Sequence, residues 1–409
     1  MHNSSPSTKP VVLVYAEPLL SGSMTFIRTQ AEALGRFCPY YISPLRLKNG
    51  LPLPNERVTV MRRGDGAWSR FAVLPFKAWG IAPLYVRRLK ALRPALLHAH
   101  FGPAALRALP LSRALNIPMI VTFQGYDATV YDDFARVSDH YSHRVYVRKR
   151  KMLESGVSLI IAVSNFIRQE LLRQGFATNK IITHYVGVDT RLFSPDPDIP
   201  RENIVLFAGR LAEKKGCEYL IRAMAKVESR STDAELIIIG DGPLRADLER
   251  LAAQYLRRYR FLGFQPPEVV QQWMNRARVF GAPSLRAQCG DAEGYPNAFA
   301  EAQAMALPVV SFSADGVREA VNHGVTGFLA PEKDSEALAE YLYLLLSQAD
   351  LCGRMGKAAR QYVCDHFNLH VQTRKLEDVY SRVLESHARA QPVLGDYVTR
   401  EVSVATLDS

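Results

Sequence analysis

A short basic turn with a glycine at each end lies at positions 209–216 of the chain. An apolar, β-branched run at 204–208 precedes this turn, and a helical pattern follows it at 218–225. Glycine lets backbone amides approach a ligand closely, and Arg210 and Lys215 could hold a diphosphate at the edge of a parallel sheet. The segment therefore predicts a phosphate clamp, with a solvated basic turn as the alternative that it leaves open.

A second segment, at 291–302, carries two carboxylates beside a glycine and a proline. Glu293 and Gly294 lie in a loop before a predicted helix. Pro296 suits the first turn of this helix, and Glu301 lies inside it. The free amides of the first helical turn would make a second anion site. Because carboxylates accept strong hydrogen bonds from hydroxyl groups, two of them beside two phosphate sites predict a nucleotide sugar as the ligand.

The eight-residue offset between these two carboxylates is not distinctive by itself. Glu332 with Glu340, and Glu377 with Glu385, have the same offset in stretches that predict ordinary amphipathic helices. Only the pair in the second segment brackets a glycine and a proline. A helix end, a turn and a buried strand follow that pair at 305–311, which predicts a position at the carboxyl edge of a parallel sheet, where ligands bind.

Short apolar strands alternate with helical segments along the chain, as in an α/β fold with parallel sheets. The predicted strands of the first half are 11–15, 96–99, 119–123, 159–163 and 181–185. The predicted strands of the second half are 204–208, 235–239, 279–282 and 309–312. Three prolines at 194–200 predict a linker between two domains.

The composition fits a two-domain protein without a membrane span. The chain has 409 residues, of which 48% are hydrophobic. No apolar run approaches the roughly 20 residues that cross a bilayer. The start of the chain is polar, and the five cysteines show no close pair or metal-type spacing. These features predict a protein of the reducing cytoplasm.

The net charge of +11 is unevenly distributed. Residues 1–200 hold 26 Lys and Arg against 13 Asp and Glu, whereas residues 201–409 hold 25 against 27. Basic surfaces attract nucleic acid, anionic lipid or acidic substrates, so the first half is the part of the chain that would meet such a partner.

Basic residues of the first half interleave with apolar ones at 70–79 and 85–90, and a further basic run lies at 148–151. This mixture predicts peripheral attachment to an anionic membrane surface, with Phe76 and Trp79 adding apolar contact. A solvated helix face with some core aromatic residues is the alternative.

Two further patterns could bind a metal. Asp196 and Asp198 form an aspartate-x-aspartate pattern, but it lies in the linker, and the cations of the clamp already offset diphosphate charge. We therefore expect neither a metal nor a cofactor. His98 and His100 alternate on one strand, so they could be metal ligands, an active-site base, a structural lining or an acceptor contact.

The chain resembles the retaining glycosyltransferases of family 4, which have the GT-B architecture. Beyond the two segments described above, the matching stretches of the second half are 240–243, 262–264, 283–284, 307–310 and 324–328. Those of the first half, which resemble bacterial exopolysaccharide and colanic-acid-type transferases, are 101–102, 122–127 and 187–189.

This resemblance implies two Rossmann-like parallel-sheet domains that face each other across a cleft. The implied parts are an acceptor-binding domain at 1–199, a nucleotide-sugar-binding domain at 200–370, a helix at 371–390 that packs back on the first domain, and a mobile tail at 391–409. The cysteine pattern and the basic first half predict a location in the cytoplasm, on the inner face of the cell membrane.

The implied reaction moves a hexose, with retention, from a nucleotide diphosphate sugar to a hydroxyl of a lipid-linked saccharide in cell-surface polysaccharide synthesis. The implied catalytic residues are Glu293, Arg210 and Lys215. The implied donor-binding residues are Gly209, Gly240, Gly263, Gly294, Pro296, Asn297, Ala298 and Glu301.

Gln124 departs from the family pattern, in which a histidine precedes the glycine at position 125. A glutamine amide can donate or accept hydrogen bonds but carries no charge. Either the donor differs, or the amide orients the donor alone. The candidates for contacts with the sugar or the acceptor are Gln124, Gly125, Asp127, His100 and Thr25.

Three rival functions are weaker. A sugar-nucleotide epimerase can share this architecture, and product analysis with donor alone would separate the two. A Rossmann dehydrogenase is disfavoured because no Gly-x-Gly-x-x-Gly turn follows the first strand. A nucleic-acid-binding protein would explain the basic half of the chain but not the two phosphate sites in the other half. We therefore expect no nucleic acid partner.

Overall fold

The computed structural model describes residues 9–22, 24–47, 50–63, 76, 82–138, 141–231 and 233–389. These residues form two α/β domains, each built on one parallel sheet. The predicted tail at 391–409 lies outside them.

The sheet of the first domain has seven parallel strands in the order β3-β2-β1-β4-β5-β6-β7. They are β1 Val11–Tyr15, β2 Cys38–Arg46, β3 Val58–Arg63, β4 Pro94–His100, β5 Met119–Phe123, β6 Leu159–Ala162 and β7 Ile181–Thr183. All residues of β5 and β6 are buried, as expected for central strands that helices cover on both faces.

The sheet of the second domain has six strands in the order β10-β9-β8-β11-β12-β13. They are β8 Ile204–Ala208, β9 Glu235–Ile239, β10 Tyr259–Gly263, β11 Val279–Gly281, β12 Val309–Phe312 and β13 Gly327–Ala330. The strand order reverses direction at β8 and β11, and such a point opens a crevice at the carboxyl ends of the strands.

Helices cover both sheets. Those of the first domain are α1 Thr25–Glu32, α2 Pro83–Ala91, α3 Gly102–Leu115, α4 Tyr126–Thr129, α5 Asp132–Val137, α6 Tyr141–Gly156 and α7 Asn165–Arg173. Those that follow are α8 Cys217–Arg230, α9 Arg245–Tyr255, α10 Pro267–Arg276, α11 Asn297–Ala304, α12 Val317–Ala320, α13 Ser335–Ser347, α14 Ala349–His366 and α15 Leu369–Arg389.

All nine predicted strands are present, and five of them have the predicted bounds. The prediction missed β2, β3, β10 and β13. Three of these are edge strands, which are only partly buried or short; β10 fully buries only Gly263, and β13 has four residues. The fourth, β2, contains Pro39 and Pro44, and proline argues against a strand in the interior of a sheet.

Helix α15 lies on the first sheet, although it follows the second domain in the sequence. Its residues in the buried cluster with β1, β4, β5 and β6 are Leu376, Val379, Tyr380 and Val383. Arg36 of the first domain lies 3.3 Å from Glu377 and 2.6 Å from Asp378 of this helix. The last described helix therefore completes the core of the first domain.

Within the described ranges, no helix combines the length and the apolar character that crossing a bilayer requires.

Candidate active site

The predicted clamp is a tight connection between β8 and α8. A single 3₁₀ turn, Glu213–Lys215, leads into the helix. Gly216 has a φ of +59°, and a Cβ atom at this position would lie 2.0 Å from the carbonyl oxygen of Pro283. Only glycine therefore fits here, and the turn is held against the loop that follows β11.

Two ion pairs join the predicted clamp to the loop before α11. Nζ of Lys215 lies 2.7 Å from Oε1 of Glu293, and Nζ of Lys214 lies 3.0 Å from Oδ1 of Asp291. Burial raises the pKa of the Glu293 carboxyl, but the charges of Lys215 and Lys214 outweigh burial and hold this pKa below its usual value. Glu293 is therefore a buried, ionised carboxylate at neutral pH. Because an ammonium group has three donors, Lys215 can bind Glu293 and still donate to a phosphate.

Arg210 is the exposed cation of the clamp. Its guanidinium takes part in no ion pair or hydrogen bond with the described residues, and it lies near enough to Lys214 for the two charges to repel. A free guanidinium beside two lysines suits a ligand with more than one negative charge.

Helix α11 begins one residue later than predicted. The ψ angle of Pro296 is 92°, so its backbone is extended, and the helix starts only at Asn297. Proline therefore precedes the first turn and does not lie within it. In the described part of the chain, the backbone amides of Asn297 and Ala298 find no acceptor. These two amides, at the positive end of the helix, are free to bind an anion.

Glu301 lies inside α11, as predicted. Desolvation raises the pKa of its carboxyl to about 7. No cation or hydrogen-bond donor among the described residues engages this carboxyl. A partly buried carboxylate without a partner is suited to accept hydrogen bonds from two adjacent ligand hydroxyls, as a ribose offers.

Three neighbouring strands of the second sheet end near glycines. The amide of Gly209 donates to Ile239 at 2.9 Å, and the amide of Gly240 donates to Gly263 at 2.8 Å. A Cβ atom at Gly240 would lie 1.9 Å from the carbonyl oxygen of Gly209. These glycines therefore allow the loops after β8, β9 and β10 to pack against one another at the carboxyl edge of the sheet.

The loop after β5 brings the first domain into contact with the Glu293 loop. A Cβ atom at Gly294 would lie 2.2 Å from the carbonyl oxygen of Gln124, and one at Gly125 would lie 3.2 Å from that of Ala292. Residues that the sequence placed in two separate domains thus lie side by side.

Asp127 supports this loop from within. Its Oδ1 accepts the amides of Gln124 at 3.0 Å and Gly125 at 2.9 Å, and its Oδ2 accepts the amide of Gly102 at 2.9 Å. Burial raises the pKa of Asp127 to about 6, although these hydrogen bonds act in the opposite direction. Because backbone amides engage both oxygens, we interpret Asp127 as a loop support and not as a direct contact with sugar or acceptor.

His98 and His100 are buried and stacked, with ring centroids 4.5 Å apart. The two ring nitrogens of His98 lie 2.6 Å and 2.7 Å from the hydroxyls of Tyr380 and Thr122. Because both nitrogens are engaged inside the domain, we interpret His98 as a structural residue. Burial lowers the pKa of His100 to about 3, so this ring is neutral. Its Nδ1 lies 3.3 Å from Nε2 of Gln124. Since an amide nitrogen only donates, Nδ1 accepts and Nε2 of His100 carries the proton.

Thr25 is the first residue of α1 and makes no hydrogen bond to the site residues within the described ranges. The loop before it approaches the second domain, since a Cβ atom at Gly22 would lie 3.6 Å from the ring of Phe264. The start of α1 therefore lies on the side of the first domain that faces the second.

The aspartate pair of the linker forms a local turn, in which Oδ1 of Asp196 accepts the amide of Asp198 at 3.0 Å. Among the residues that the structure describes, no group of three or more His, Cys, Asp or Glu side chains could hold a metal ion.

Several residues around the site were not singled out from the sequence. Lys214 and Asp291 form the second ion pair, and the duplication of lysine beside Lys215 is the signal that could have found it. Arg286 and Glu319 join the two domains across the cleft. No local pattern marks either of them, because their partners are distant in the sequence.

The fold is shared with solved structures of low sequence identity. Sucrose-phosphate synthase of Thermosynechococcus elongatus aligns with a TM-score of 0.73 at 21% identity, over 92% of this chain and all of its own. The Anabaena protein HepE, solved in complex with UDP and glucose, aligns with a TM-score of 0.70 at 19% identity, over 91% and 99% of the two chains. The fold is GT-B.

The sequence comparisons show the class and the family of this protein. Residues 46–192 match the family described as Glycosyltransferase Family 4, and residues 190–362 match the one described as Glycosyl transferases group 1. The amylovoran biosynthesis glycosyltransferase AmsK of Erwinia amylovora is 33% identical over 69% of both chains. The colanic acid biosynthesis glycosyltransferase WcaL of Escherichia coli is 32% identical over 68% of both. The chain belongs to glycosyltransferase family 4.

Proposed function

We propose that the protein transfers a hexose from a nucleoside diphosphate sugar to a hydroxyl of a saccharide acceptor, with retention of the anomeric configuration. The observation that carries this proposal is the assembly of the unpaired Arg210, the Lys215–Glu293 ion pair and the free amides of α11. This assembly offers positive charge to a diphosphate and a carboxylate to sugar hydroxyls.

Departure of the nucleoside diphosphate is the step that the second domain assists in this proposal. As the bond between the sugar and the diphosphate breaks, negative charge grows on the phosphate, where Arg210, Lys215 and the α11 amides stabilise it. The acceptor hydroxyl attacks from the same face, and its proton passes to the leaving phosphate oxygen. Glu293 holds the hydroxyls of the sugar and Glu301 those of the ribose. Retention rests on the resemblance to the family, and no protein nucleophile is assigned.

Gln124 is proposed to orient the donor sugar without charge. Its Nε2 donates to the neutral His100, which fixes the amide and leaves its Oε1 free to accept a sugar hydroxyl. The contact between Gln124 and Gly294 holds this amide beside Glu293. Both residues can therefore contact one sugar ring from opposite sides of the cleft.

The acceptor is proposed to be a lipid-linked saccharide of an exopolysaccharide pathway. AmsK and WcaL are named for the biosynthesis of two such polysaccharides, and HepE was solved with UDP and glucose. These relatives support a nucleotide sugar as donor and a saccharide as acceptor.

A thermal-shift screen against nucleoside diphosphates and their sugars tests the proposed donor. We expect one base to be preferred, with stabilisation of about 2.7 kcal/mol at a ligand concentration of 100 Kd. Stabilisation should be larger at pH 8 than at pH 6. The reason is that Glu301 is ionised only above its pKa of about 7, and only the ionised carboxyl accepts hydroxyl hydrogen bonds on both oxygens.

The matched control for this screen is Glu301→Gln, which removes the charge at both pH values. The pH dependence of stabilisation should shrink in this variant. Equal stabilisation by all nucleotides and by inorganic pyrophosphate would mean that only phosphate charge is recognised. No stabilisation by any of them would contradict the proposed donor.

The predicted contact of Phe76 with a membrane is wrong. Phe76 is only 2% exposed and packs against Tyr85, so it cannot contact lipid. Arg70, Lys77 and Trp79 lie outside the described residues. Phe76 therefore cannot supply the apolar component that was predicted for it.

We propose that helices α5 and α6 supply this contact with an anionic membrane. Their exposed apolar side chains are Phe134, Val137, Tyr141 and Met152. Arg148 and Lys149 are exposed and form no ion pair with the described residues, whereas Arg150 and Lys151 are paired with acidic neighbours. On α6 the residues at 141, 148 and 152 share one face, because they recur at helical spacing. A face that mixes exposed apolar and basic residues suits a lipid interface.

Removing two of these charges should weaken attachment. The variant Arg148→Gln/Lys149→Gln should bind anionic vesicles roughly thirty-fold less well at low salt, since each basic residue contributes about 1 kcal/mol. Co-sedimentation with vesicles of phosphatidylglycerol or of phosphatidylcholine, over a salt series, measures this loss.

The matched control is Arg354→Gln/Lys357→Gln, which removes the same charge from the exposed face of α14 in the second domain. It should bind as the wild type does. Phe134→Ser/Val137→Ser should abolish the part of the binding that salt does not screen. Binding that ignores lipid charge, or equal losses in both charge variants, would refute the membrane contact.

A further inference from the structure

Two loops of the second domain hold one helix of the first. The loops follow β11 and β12, and the helix is α7, Asn165–Arg173. The contacts from the second domain are made by Arg286 and Asp315 of the loops and by Glu319 of α12, the short helix that the second loop enters. Those from α7 are made by Asn165, Phe166 and Glu170.

Glu319 caps α7 from across the cleft. Its carboxylate accepts the amide of Asn165 at 2.9 Å and the amide of Phe166 at 2.6 Å. The hydroxyl of Tyr185 donates to the same carboxylate at 2.6 Å. A carboxylate at a helix N-terminus satisfies amides that have no partner within the helix, and it is attracted by the helix dipole. Three donors of the first domain thus converge on one carboxylate of the second.

Arg286 forms an ion pair between the two domains. Its Nη2 lies 3.0 Å from Glu170 in α7 and 2.7 Å from Asp315 in its own domain. The guanidinium also lies over the ring of Phe166, at 5.4 Å from the centroid. Because all three carboxyl and guanidinium groups are mostly buried, their pairing is screened less than a pair on the open surface.

The same two loops contact the donor site. The amide of Leu285, next to Arg286, donates to the carbonyl oxygen of Lys214 at 2.9 Å. The amide of Gly316 donates to the carbonyl oxygen of Glu293 at 3.3 Å, and a Cβ atom at Gly316 would lie 2.1 Å from the carbonyl oxygen of Gly294. Each loop therefore joins α7 directly to one half of the proposed donor site.

We propose that Arg286 and Glu319 form an interdomain clasp that fixes the distance between Gln124 of the first domain and Glu293 of the second. They are positioning residues, because they contact α7 and not the reacting groups. The expected effect of the clasp on turnover depends on the proposed function. The expected effect on the arrangement of the two domains does not.

Breaking the clasp should separate the domains and slow transfer. We expect Arg286→Ala/Glu319→Ala to have a larger radius of gyration than the wild type in small-angle X-ray scattering of the ligand-free protein. Its kcat should fall roughly ten- to hundred-fold, since small misplacements of reacting groups cost this much. Thermal stabilisation by UDP and GDP should match that of the wild type, because the proposed nucleotide site lies within the second domain.

Two further variants keep this test interpretable. Arg318→Ala is the matched control, since the bonds of its exposed guanidinium go to Ser313 inside the second domain. It should leave both the radius of gyration and kcat unchanged. Glu319→Gln keeps one carbonyl oxygen as an acceptor, so its radius of gyration and kcat should lie between those of the wild type and the double variant.

Three results would overturn the clasp. One is an unchanged radius of gyration in the double variant, and another is an unchanged kcat in spite of separated domains. The third is loss of stabilisation by UDP and GDP, which would mean that the two loops only support the nucleotide site. The scattering result does not depend on activity, so it stands even if the wild type proves not to transfer sugar.

Discussion

Replacing Arg210 or Lys215 with alanine is expected to lower turnover by roughly 10²- to 10³-fold, the range for loss of one preorganised electrostatic donor. Both cations lie in the turn between β8 and α8, where charge would develop on the leaving diphosphate. The effect should therefore appear in kcat at saturating donor. Release of nucleoside diphosphate during transfer measures it.

The two variants should differ in stability. Arg210 is exposed and unpaired within the described residues, so Arg210→Ala should unfold at the wild-type temperature. Lys215→Ala leaves Glu293 buried with Lys214 as its remaining nearby cation, so this variant should also be less stable. Lys357→Ala, an exposed lysine of the same domain, is the control for both measurements. Wild-type turnover in both clamp variants would show that the clamp is assigned wrongly.

Glu293→Gln is expected to lower turnover roughly 10²-fold, whereas Glu340→Gln and Glu385→Gln should be near neutral. All three glutamates belong to pairs with the same offset in the sequence. Only Glu293 is buried against a lysine at the end of a parallel strand, where its loss removes a charged acceptor and frees Lys215 from its partner.

The two control glutamates lie on open surfaces. Glu340 pairs with Arg230 at 2.6 Å, but its side chain is 65% exposed. Glu385 is exposed on α15. Exposed ion pairs contribute about 1 kcal/mol at most, so neither substitution should change folding or turnover measurably. Comparable loss of activity in all three variants would move the active site away from α11.

The elements around the proposed donor site could be predicted because their signals are local. The strand before Gly209, the helix after Gly216 and the helix that carries Glu301 each show in a few consecutive residues. The pairing of Lys215 with Glu293 could not be predicted from such local signals. Both residues were named from the sequence, but their 2.7 Å contact depends on how β8 and the loop before α11 meet in the folded sheet.

The contacts between the domains could not be predicted from the same signals. Glu319 bonds to amides more than 150 positions away, so nothing near it in the sequence indicates a partner. Asp127 is a candidate for a sugar or acceptor contact from the sequence, and its three hydrogen bonds from backbone amides depend on how its loop folds. Phe76 looked interfacial because basic residues flank it, but the fold buries it. In each case tertiary packing decided the role.

Helix α15 has a consequence for how this chain is made. The first domain cannot cover one face of its sheet until α15 has left the ribosome, because Tyr380 and its neighbours complete that core. At about 5–20 residues per second, this happens roughly ten to forty seconds after the last strand of the first domain. During that interval Val12, Leu96 and Ile120 present an uncovered apolar surface on the nascent chain. We therefore expect the first domain to reach its final packing only after α15 has been synthesised, even though its strands are made first.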